Sequence, residues 1–262
     1  MNSLSIVIPA LNEAENLPTV MATIPVRELR AAGWETEVVV VDNASTDGTA
    51  EVAGSLGARV VPQPQRGYGN AYQAGFDAAD GDVIATGDAD CTYPFDALPG
   101  LLHTLVDHDV EFMTTDRLSR ENRSAMKTSH TIANHALSAL SRALFRNGLR
   151  DSQSGMWVFR RYVWTGLDIR STGMAFSQEI KNSATRAGYR YLEVPIEYRN
   201  RGGEVKLNAL PDGMANLRQL FEHRFRRPQG RVETTSAVRL PAQRTTAAGT
   251  SGHVTPDGYE AV

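Results

Sequence analysis

Along the first 115 residues, short apolar runs alternate with stretches of helical period. Residues 4–9 (Leu-Ser-Ile-Val-Ile-Pro) predict a first strand and the four valines at 38–41 a second. The second is apolar without alternation, as expected of a strand covered by helices on both faces. Residues 58–61, 83–86 and 110–115 predict three more strands. Between them lie helical patterns. One runs through Val20, Met21, Ile24 and Leu29, where Pro18 and Pro25 argue against a continuous helix. Others follow at Ala50 to Leu56, from Gly67-Tyr68-Gly69-Asn70 to about Asp80, and over 94–108. Strand and helix alternating in this way predict an α/β fold on a doubly wound, mostly parallel sheet.

Beyond residue 115 the pattern changes. Residues 124–145 predict a long helix with Ile132, Leu137, Leu140 and Leu144 on a broad apolar face. His130 and His135 on it are five apart, which is not the i, i+4 spacing of a helical zinc pair. A turn at 151–155 precedes a bulky strand at 156–159, a helix is predicted over 176–189, and an alternating segment runs from 191 to 198. Residues 211–227 predict an amphipathic helix, apolar at Met214, Leu217, Leu220, Phe221 and Phe225 and basic at Arg218, Arg224, Arg226 and Arg227. Such a helix suits either an anionic membrane surface or packing on its own domain. Residues 229–262 are rich in Thr, Ala, Gly, Ser and Pro with little periodicity, and predict a disordered tail. The expected organisation is one domain over 1–228, with halves 1–115 and 116–228, followed by that tail.

Composition adds constraints. Of 262 residues, 41% are hydrophobic and 22% charged, as in a soluble globular protein. The net charge of -3 argues against a nucleic-acid binder, yet it is unevenly spread. Residues 1–100 carry 4 Lys and Arg against 14 Asp and Glu, while the remainder carries 23 against 16. That asymmetry suits a metal site followed by a grip on phosphate, or simply two unrelated solvated faces. A single cysteine, Cys91, allows neither an internal disulfide nor a thiolate metal cage, which fits a reducing compartment. No basic leader and no apolar run of about 18 residues is present. The expectation is a cytoplasmic protein that meets a membrane, if at all, from its inner surface.

The chemistry-bearing stretch is Gly87-Asp88-Ala89-Asp90 at the end of the 83–86 strand. Ligands of open α/β sheets bind outside the carboxyl ends of the strands. Two carboxylates there repel unless a cation neutralises them, and a hard divalent ion carrying nucleotide phosphates is a natural one. Helix capping or a solvated turn is the plainer alternative. The Gly67-x-Gly69 turn is not a dinucleotide fingerprint, because it follows the third strand and Gly75 falls outside the required spacing.

Taken together, these turns resemble a family. Val7-Ile8-Pro9-Ala10-Leu11-Asn12-Glu13-Ala14-Glu15-Asn16 and Val40-Val41-Asp42-Asn43-Ala44-Ser45-Thr46-Asp47-Gly48-Thr49 are similar to the first two motifs of family 2 GT-A glycosyltransferases. Arg66-Gly67-Tyr68-Gly69-Asn70-Ala71 and Asp88-Ala89-Asp90 continue in the same order. Asp151, Ser154-Gly155, Glu179, Glu193-Val194-Pro195 and Arg201-Gly202-Gly203-Glu204-Val205-Lys206-Leu207 resemble the polyprenyl-phosphate branch, of which dolichyl-phosphate mannose synthase is a member. The resemblance spans about residues 4–210.

It implies an inverting transferase that moves a hexose from a GDP- or UDP-sugar to a polyprenyl phosphate, using Mg²⁺ or Mn²⁺. Pro9, Leu11, Asn12, Glu13, Asp42, Gly67, Asn70, Asp88 and Ala89 would line the donor pocket. Asp88 and Asp90 would hold the metal, while Arg117, Arg201 and Lys206 would face phosphate. Three positions depart from the family pattern: Asn43 where an acid is common, Thr92 where a glutamine can assist the metal, and Val205 in place of a serine. The alternative is a soluble transferase acting on a hydroxyl of a small-molecule acceptor, with a non-catalytic sugar-nucleotide binder as a further one. A lipid phosphate arrives already anionic, whereas a hydroxyl needs a base. Glu179 and Asp151, with Asp90, are the catalytic candidates.

Overall fold

Each apolar run predicted as a strand forms one in the computed structural model, which describes residues 2–119, 122, 126, 128–202 and 209–226. The strands are β1 (Asn2–Ala10), β2 (Trp34–Asp42), β3 (Arg59–Pro62), β4 (Val83–Thr86), β5 (Phe112–Asp116), β6 (Trp157–Arg160) and β7 (Tyr191–Pro195). They build one seven-stranded sheet in the order β3-β2-β1-β4-β6-β5-β7. Pairing is parallel between β1 and β2, β1 and β4, β2 and β3, and β5 and β7. Only β6 is reversed, antiparallel to both β4 and β5. This reversal has a consequence for function. The start of β6 lies beside the carboxyl ends of β4 and β5, so the turn at 151–155 arrives next to Asp88.

The helices cover both faces. On one side, α1 (Leu17–Ala22), α2 (Val26–Ala31), α3 (Thr49–Ser55) and α5 (Leu98–Asp107) pack Leu17, Val20, Leu29, Ala53, Leu98 and Leu102 against Ile6, Ile8, Val40 and Val158. On the other, α4 (Tyr68–Ala78), α7 (Arg161–Thr165) and α8 (Phe176–Ala187) pack Tyr72, Phe76, Val163, Phe176 and Ile180 against Val7, Val39, Val41 and Trp157. Alternate residues of β1 and β2 thus feed two cores, which is why neither strand shows a polar face. The two prolines split the first helical pattern as expected: Pro18 opens α1, and Pro25 precedes α2.

The second half adds α6 (Thr128–Phe145) and α9 (Ala209–Phe225), which pack on each other and on α8. The predicted start of the long helix at 124, the residues 203–208 with Lys206, and the tail 229–262 lie outside the described residues. α7 and the direction of β6 were not predicted. A five-residue helix carries too few apolar positions for a period, and strand direction leaves no mark on a run of four residues.

Candidate active site

The carboxyl ends of β1, β2 and β4 carry the first, second and fourth motifs to one edge of the sheet. The β1 and β2 turns are tied to each other rather than left open. Asn12, at a positive φ of 51°, accepts the Thr46 N–H at 2.8 Å through Oδ1, and its own N–H donates to Ser45 Oγ at 3.0 Å. Glu13 N–H donates to Thr49 Oγ1 at 2.9 Å, and Ala14 N–H to Asp47 Oδ2 at 3.1 Å. Pro9 and Leu11 flank this turn, and Asp42 at the end of β2 accepts the Ser45 N–H at 3.2 Å.

The departure at Asn43 has a physical reason. Its Nδ2 donates to the carbonyls of Gln63 and Gln65 at 3.1 and 2.8 Å, and its Oδ1 accepts Gly67 N–H at 2.8 Å. A carboxylate, acceptor only, could not make the first two bonds. The amide therefore shapes the loop that leads into α4. Gly67, at φ 146°, and Gly69 open that helix, and a β-carbon on either would sit 2.3 Å from the carbonyl oxygen of Thr172 or Ser171 respectively. The resemblance places Gly67 and Asn70 in the donor pocket. What fills the space in this structure is the backbone of 171–172, to which Asn70 N–H also donates at 3.1 Å.

Asp88 is held by two residues that the motif reading missed. Tyr68 and Tyr72, one turn apart on α4, each place a hydroxyl 3.0 Å from Asp88 Oδ1. Both bonds fall on that one oxygen. Burial, reinforced by the Asp88 charge, pushes both phenols well above their ordinary range, so they stay protonated donors. Tyr72 is fixed between Trp157 at 5.0 Å and Phe176 at 5.8 Å, ring centre to ring centre. Asp88 keeps some surface access yet is closely surrounded by protein, and its carboxyl is pushed up, first by burial and then by Asp90. Ala89 between the acids is buried.

Asp90 is buried and doubly engaged. Its Oδ1 accepts the Thr92 N–H at 3.1 Å and the Thr92 hydroxyl at 2.6 Å. Its Oδ2 lies 2.8 Å from Nη1 of Arg201. Gly202 N–H donates to the Asp90 carbonyl at 2.9 Å, and the Gly202 carbonyl accepts Asn16 Nδ2 at 3.3 Å. Asn16 also donates to Glu13 Oε2 at 2.6 Å. The first turn, the second acid and the basic segment at 201 thus meet at one point, with Thr92 serving as a brace for Asp90. Neither Thr92 nor Cys91 adds to a cluster: among the described residues no group of three or more His, Cys, Asp and Glu gathers. Two carboxylates, one already facing a cationic guanidinium, fit a hard divalent ion whose remaining ligands are phosphate and water.

The other two carboxylates have different surroundings. Asp151 is fully buried, receiving Arg117 through Nε at 2.7 Å, Nη2 at 3.1 Å and the backbone N–H at 3.1 Å. Burial alone would raise its carboxyl, but Arg117 outweighs it and holds Asp151 at about 2. Lys181, also fully buried, donates Nζ to the Asp151 carbonyl at 2.6 Å, and burial lowers its pKa. Glu193 on β7 accepts the N–H groups of Arg150 and Asp151 at 2.6 and 3.0 Å. Arg117 stacks on the Tyr198 ring at 5.3 Å and lines a cavity of about 240 Å³ with Leu118, Ser119, Asn122, Met126 and His135. Glu179 lies on α8, 1% exposed, paired with Arg226 rather than with the Asp88 cluster.

Tyr72 and Lys181 fall outside the motifs, and Asn16 and Tyr68 fall inside them with no role assigned from sequence. Only the tyrosine pair left a signal, two phenols at i, i+4 just after a glycine turn.

The chain matches the family described as Glycosyl transferase family 2 over residues 5–167. It is 38% identical over 222 residues to the low-salt glycan biosynthesis hexosyltransferase Agl6 of Haloferax volcanii, covering 82% of this chain and 52% of that protein. The chain therefore spans about half the length of that relative. It is 34% identical over 215 residues to the dolichyl-phosphate hexose transferase of the same organism, covering 82% of this chain and 90% of that one. Identity to the undecaprenyl-phosphate mannosyltransferase of Micrococcus luteus is 31% over 215 residues, with 77% and 86% covered. Among solved structures, glucosyl-3-phosphoglycerate synthase of Mycobacterium tuberculosis with Mn²⁺, UDP-glucose and phosphoglyceric acid superposes with a TM-score of 0.68 at 21% identity. That superposition covers 85% of this chain and 79% of the other, and shows a shared fold. With the family match running through more than half of its length and across the turns that follow β1, β2 and β4, the chain belongs to glycosyltransferase family 2 and is an enzyme of GT-A fold.

Proposed function

We propose that this enzyme transfers a hexose, with inversion, from a nucleotide sugar to a polyprenyl phosphate at the cytoplasmic face of a membrane. The observation that carries the acceptor class is the state of the two carboxylates offered as bases. Asp151 is locked by Arg117, and Glu179 by Arg226 and two backbone N–H groups. Neither is therefore placed to serve a hydroxyl acceptor as a base, whereas a phosphate acceptor is already ionised. Arg117 supplies a cation on the wall of a cavity that also contains Leu118 and Met126, a setting for an anionic head joined to a hydrocarbon chain. Asp151 accepts from its Nε and Nη2 and so fixes the orientation of the guanidinium.

On the donor side, Asp88 and Asp90 would hold Mg²⁺ or Mn²⁺. When bound, the ion neutralises charge that builds on the departing nucleoside diphosphate. Tyr68 and Tyr72 orient Asp88 through Oδ1, and Thr92 orients Asp90. Arg201, now against Asp90, lies where donor and acceptor phosphates would meet. Catalysis is then mainly positioning and charge stabilisation. The membrane contact would fall on α6 and α9. Ile132, Met214 and Phe225 are 65%, 65% and 75% exposed, while Ser138, Ser141, Asn216 and His223 are buried. An outward apolar face with Arg218 and Arg224 exposed beside it suits an anionic bilayer. Among the described residues, no helix is long and apolar enough to cross a membrane.

A panel of radiolabelled GDP- and UDP-hexoses, offered with Mn²⁺ and polyprenyl phosphate, tests the reading. Label is expected in the organic phase. Donor hydrolysis without lipid labelling would transfer the assignment to a hydroxyl acceptor, and binding without turnover to a non-catalytic protein. In flotation with phosphatidylglycerol vesicles, Phe221→Asp with Phe225→Asp is expected to weaken binding about tenfold or more. Unchanged flotation would remove α9 from the membrane contact.

A further inference from the structure

Glu179 is buried in the second half of the molecule, yet the contacts that radiate from it end at the donor edge. Its Oε2 accepts Ser171 N–H at 2.7 Å and Arg170 N–H at 3.2 Å. Its Oε1 accepts Arg226 Nη1 at 3.0 Å. Arg226, just after α9, also reaches the Asp168 carboxylate at 3.4 Å and donates to the Asp168 carbonyl. The segment 168–172 is therefore gripped from below by one carboxylate and one guanidinium. Its upper side is pressed onto the start of α4. Thr172 O accepts Asn70 N–H at 3.1 Å, and Ser171 O accepts Gln73 Nε2 at 3.1 Å. Both carbonyls pass so close to Gly67 and Gly69 that no β-carbon would fit.

We infer that Glu179 and Arg226 are positioning residues for the donor site. Together they set the height of the 168–172 segment, which fixes the Gly67–Asn70 turn and, through α4, the two tyrosines that hold Asp88. The end of α9 is thereby coupled to the nucleotide edge by a continuous path of hydrogen bonds. Three donors converge on Glu179, which suits a group that only accepts. Glutamine in its place would turn an NH₂ toward another N–H and lose the charge that holds Arg226. The inference rests on reading the 67–72 segment as part of the donor site, so its test needs a readout that does not depend on that reading.

Two measurements on Glu179→Gln, with Arg226→Met and Arg226→Lys alongside, provide it. The first is calorimetric binding of UDP and of GDP in Mn²⁺. Glu179→Gln and Arg226→Met are each expected to weaken the nucleotide that binds by about five- to tenfold, with Arg226→Lys recovering part of the loss. Turnover at saturating donor should fall much less than the apparent donor affinity. The second is amide hydrogen exchange over residues 67–72, expected to speed up in both disruptive variants without ligand. Unchanged nucleotide affinity with unchanged exchange overturns the inference, even if thermal stability drops. So does a thousandfold fall in turnover with normal nucleotide binding, which would make Glu179 a base. If the unsubstituted protein binds neither nucleotide, the donor-site reading fails, and exchange alone then decides whether the clamp exists.

Discussion

Asp90→Asn is expected to reduce metal-supported sugar transfer by about a thousandfold, equivalent to roughly 4 kcal/mol of transition-state stabilisation. The substitution keeps size and shape but replaces one of the two carboxylates of the proposed cation site with a neutral amide. Asparagine would still accept from Thr92, whose hydroxyl now lies 2.6 Å from Oδ1, so the turn should persist. What it loses is the charge opposite Arg201 at 2.8 Å and the second carboxylate for a divalent ion. The variant should therefore fold, with a thermal midpoint close to that of the unsubstituted protein, and lose the Mn²⁺ dependence of nucleotide binding. Near-normal turnover with Mn²⁺ would remove Asp90 from the metal site and leave it as a partner of Arg201 alone.

Asp151→Asn should produce the largest loss of stability. It leaves Arg117, 8% exposed, without its partner carboxylate, and removes one of the negative charges, beside Glu193 and Asp116, that face the fully buried Lys181. Breaking one side of a buried pair costs about 3–5 kcal/mol, because the surviving charge stays desolvated. For an ordered core of this size that lowers the thermal midpoint by roughly 10 °C. The same pair gives a pH signature. Arg117 holds the folded-state carboxyl at about 2, below its ordinary value of 3.8. The stabilisation is thus complete above the unfolded pKa and is lost as pH falls from about 4 towards 2, amounting to roughly 2 kcal/mol. Urea unfolding at pH 7 and at pH 3 should show the unsubstituted protein losing stability between them, and the asparagine variant losing less. Equal losses would mean that Arg117 and Asp151 do not interact in solution.

The two experiments probe opposite designs at one sheet edge. At Asp88 and Asp90 the protein gathers negative charge and shapes it with tyrosine and threonine hydroxyls, leaving its neutralisation to Arg201 or to a ligand. At Asp151 it neutralises its own charge internally and gains a fixed, oriented Arg117.

Much of this architecture follows from sequence alone. The apolar runs at β1, β2 and β4 could only be strands covered on both faces, because residues such as Val39 and Val40 in adjacent positions both need burial. Pro18 and Pro25 had to interrupt the first helical pattern, since proline supplies no N–H to a helix interior. Asp88 and Asp90 had to reach a strand end, because Gly87 closes a run too short to be anything else. These are local facts, each carried by a few neighbouring residues. The reversal of β6, by contrast, is a matter of which edge the returning strand finds, and it decides that Gly155 and the Asp151–Arg117 pair lie beside Asp88. Spacing could nominate Asp151 and Glu179 as carboxylates but could not tell a base from an acceptor already saturated by donors. That distinction depends on Arg117 lying 34 positions from Asp151 and Arg226 lying 47 from Glu179. Long-range pairing of charge in a buried setting fixes the role of each carboxylate, and only the tertiary structure brings those partners together.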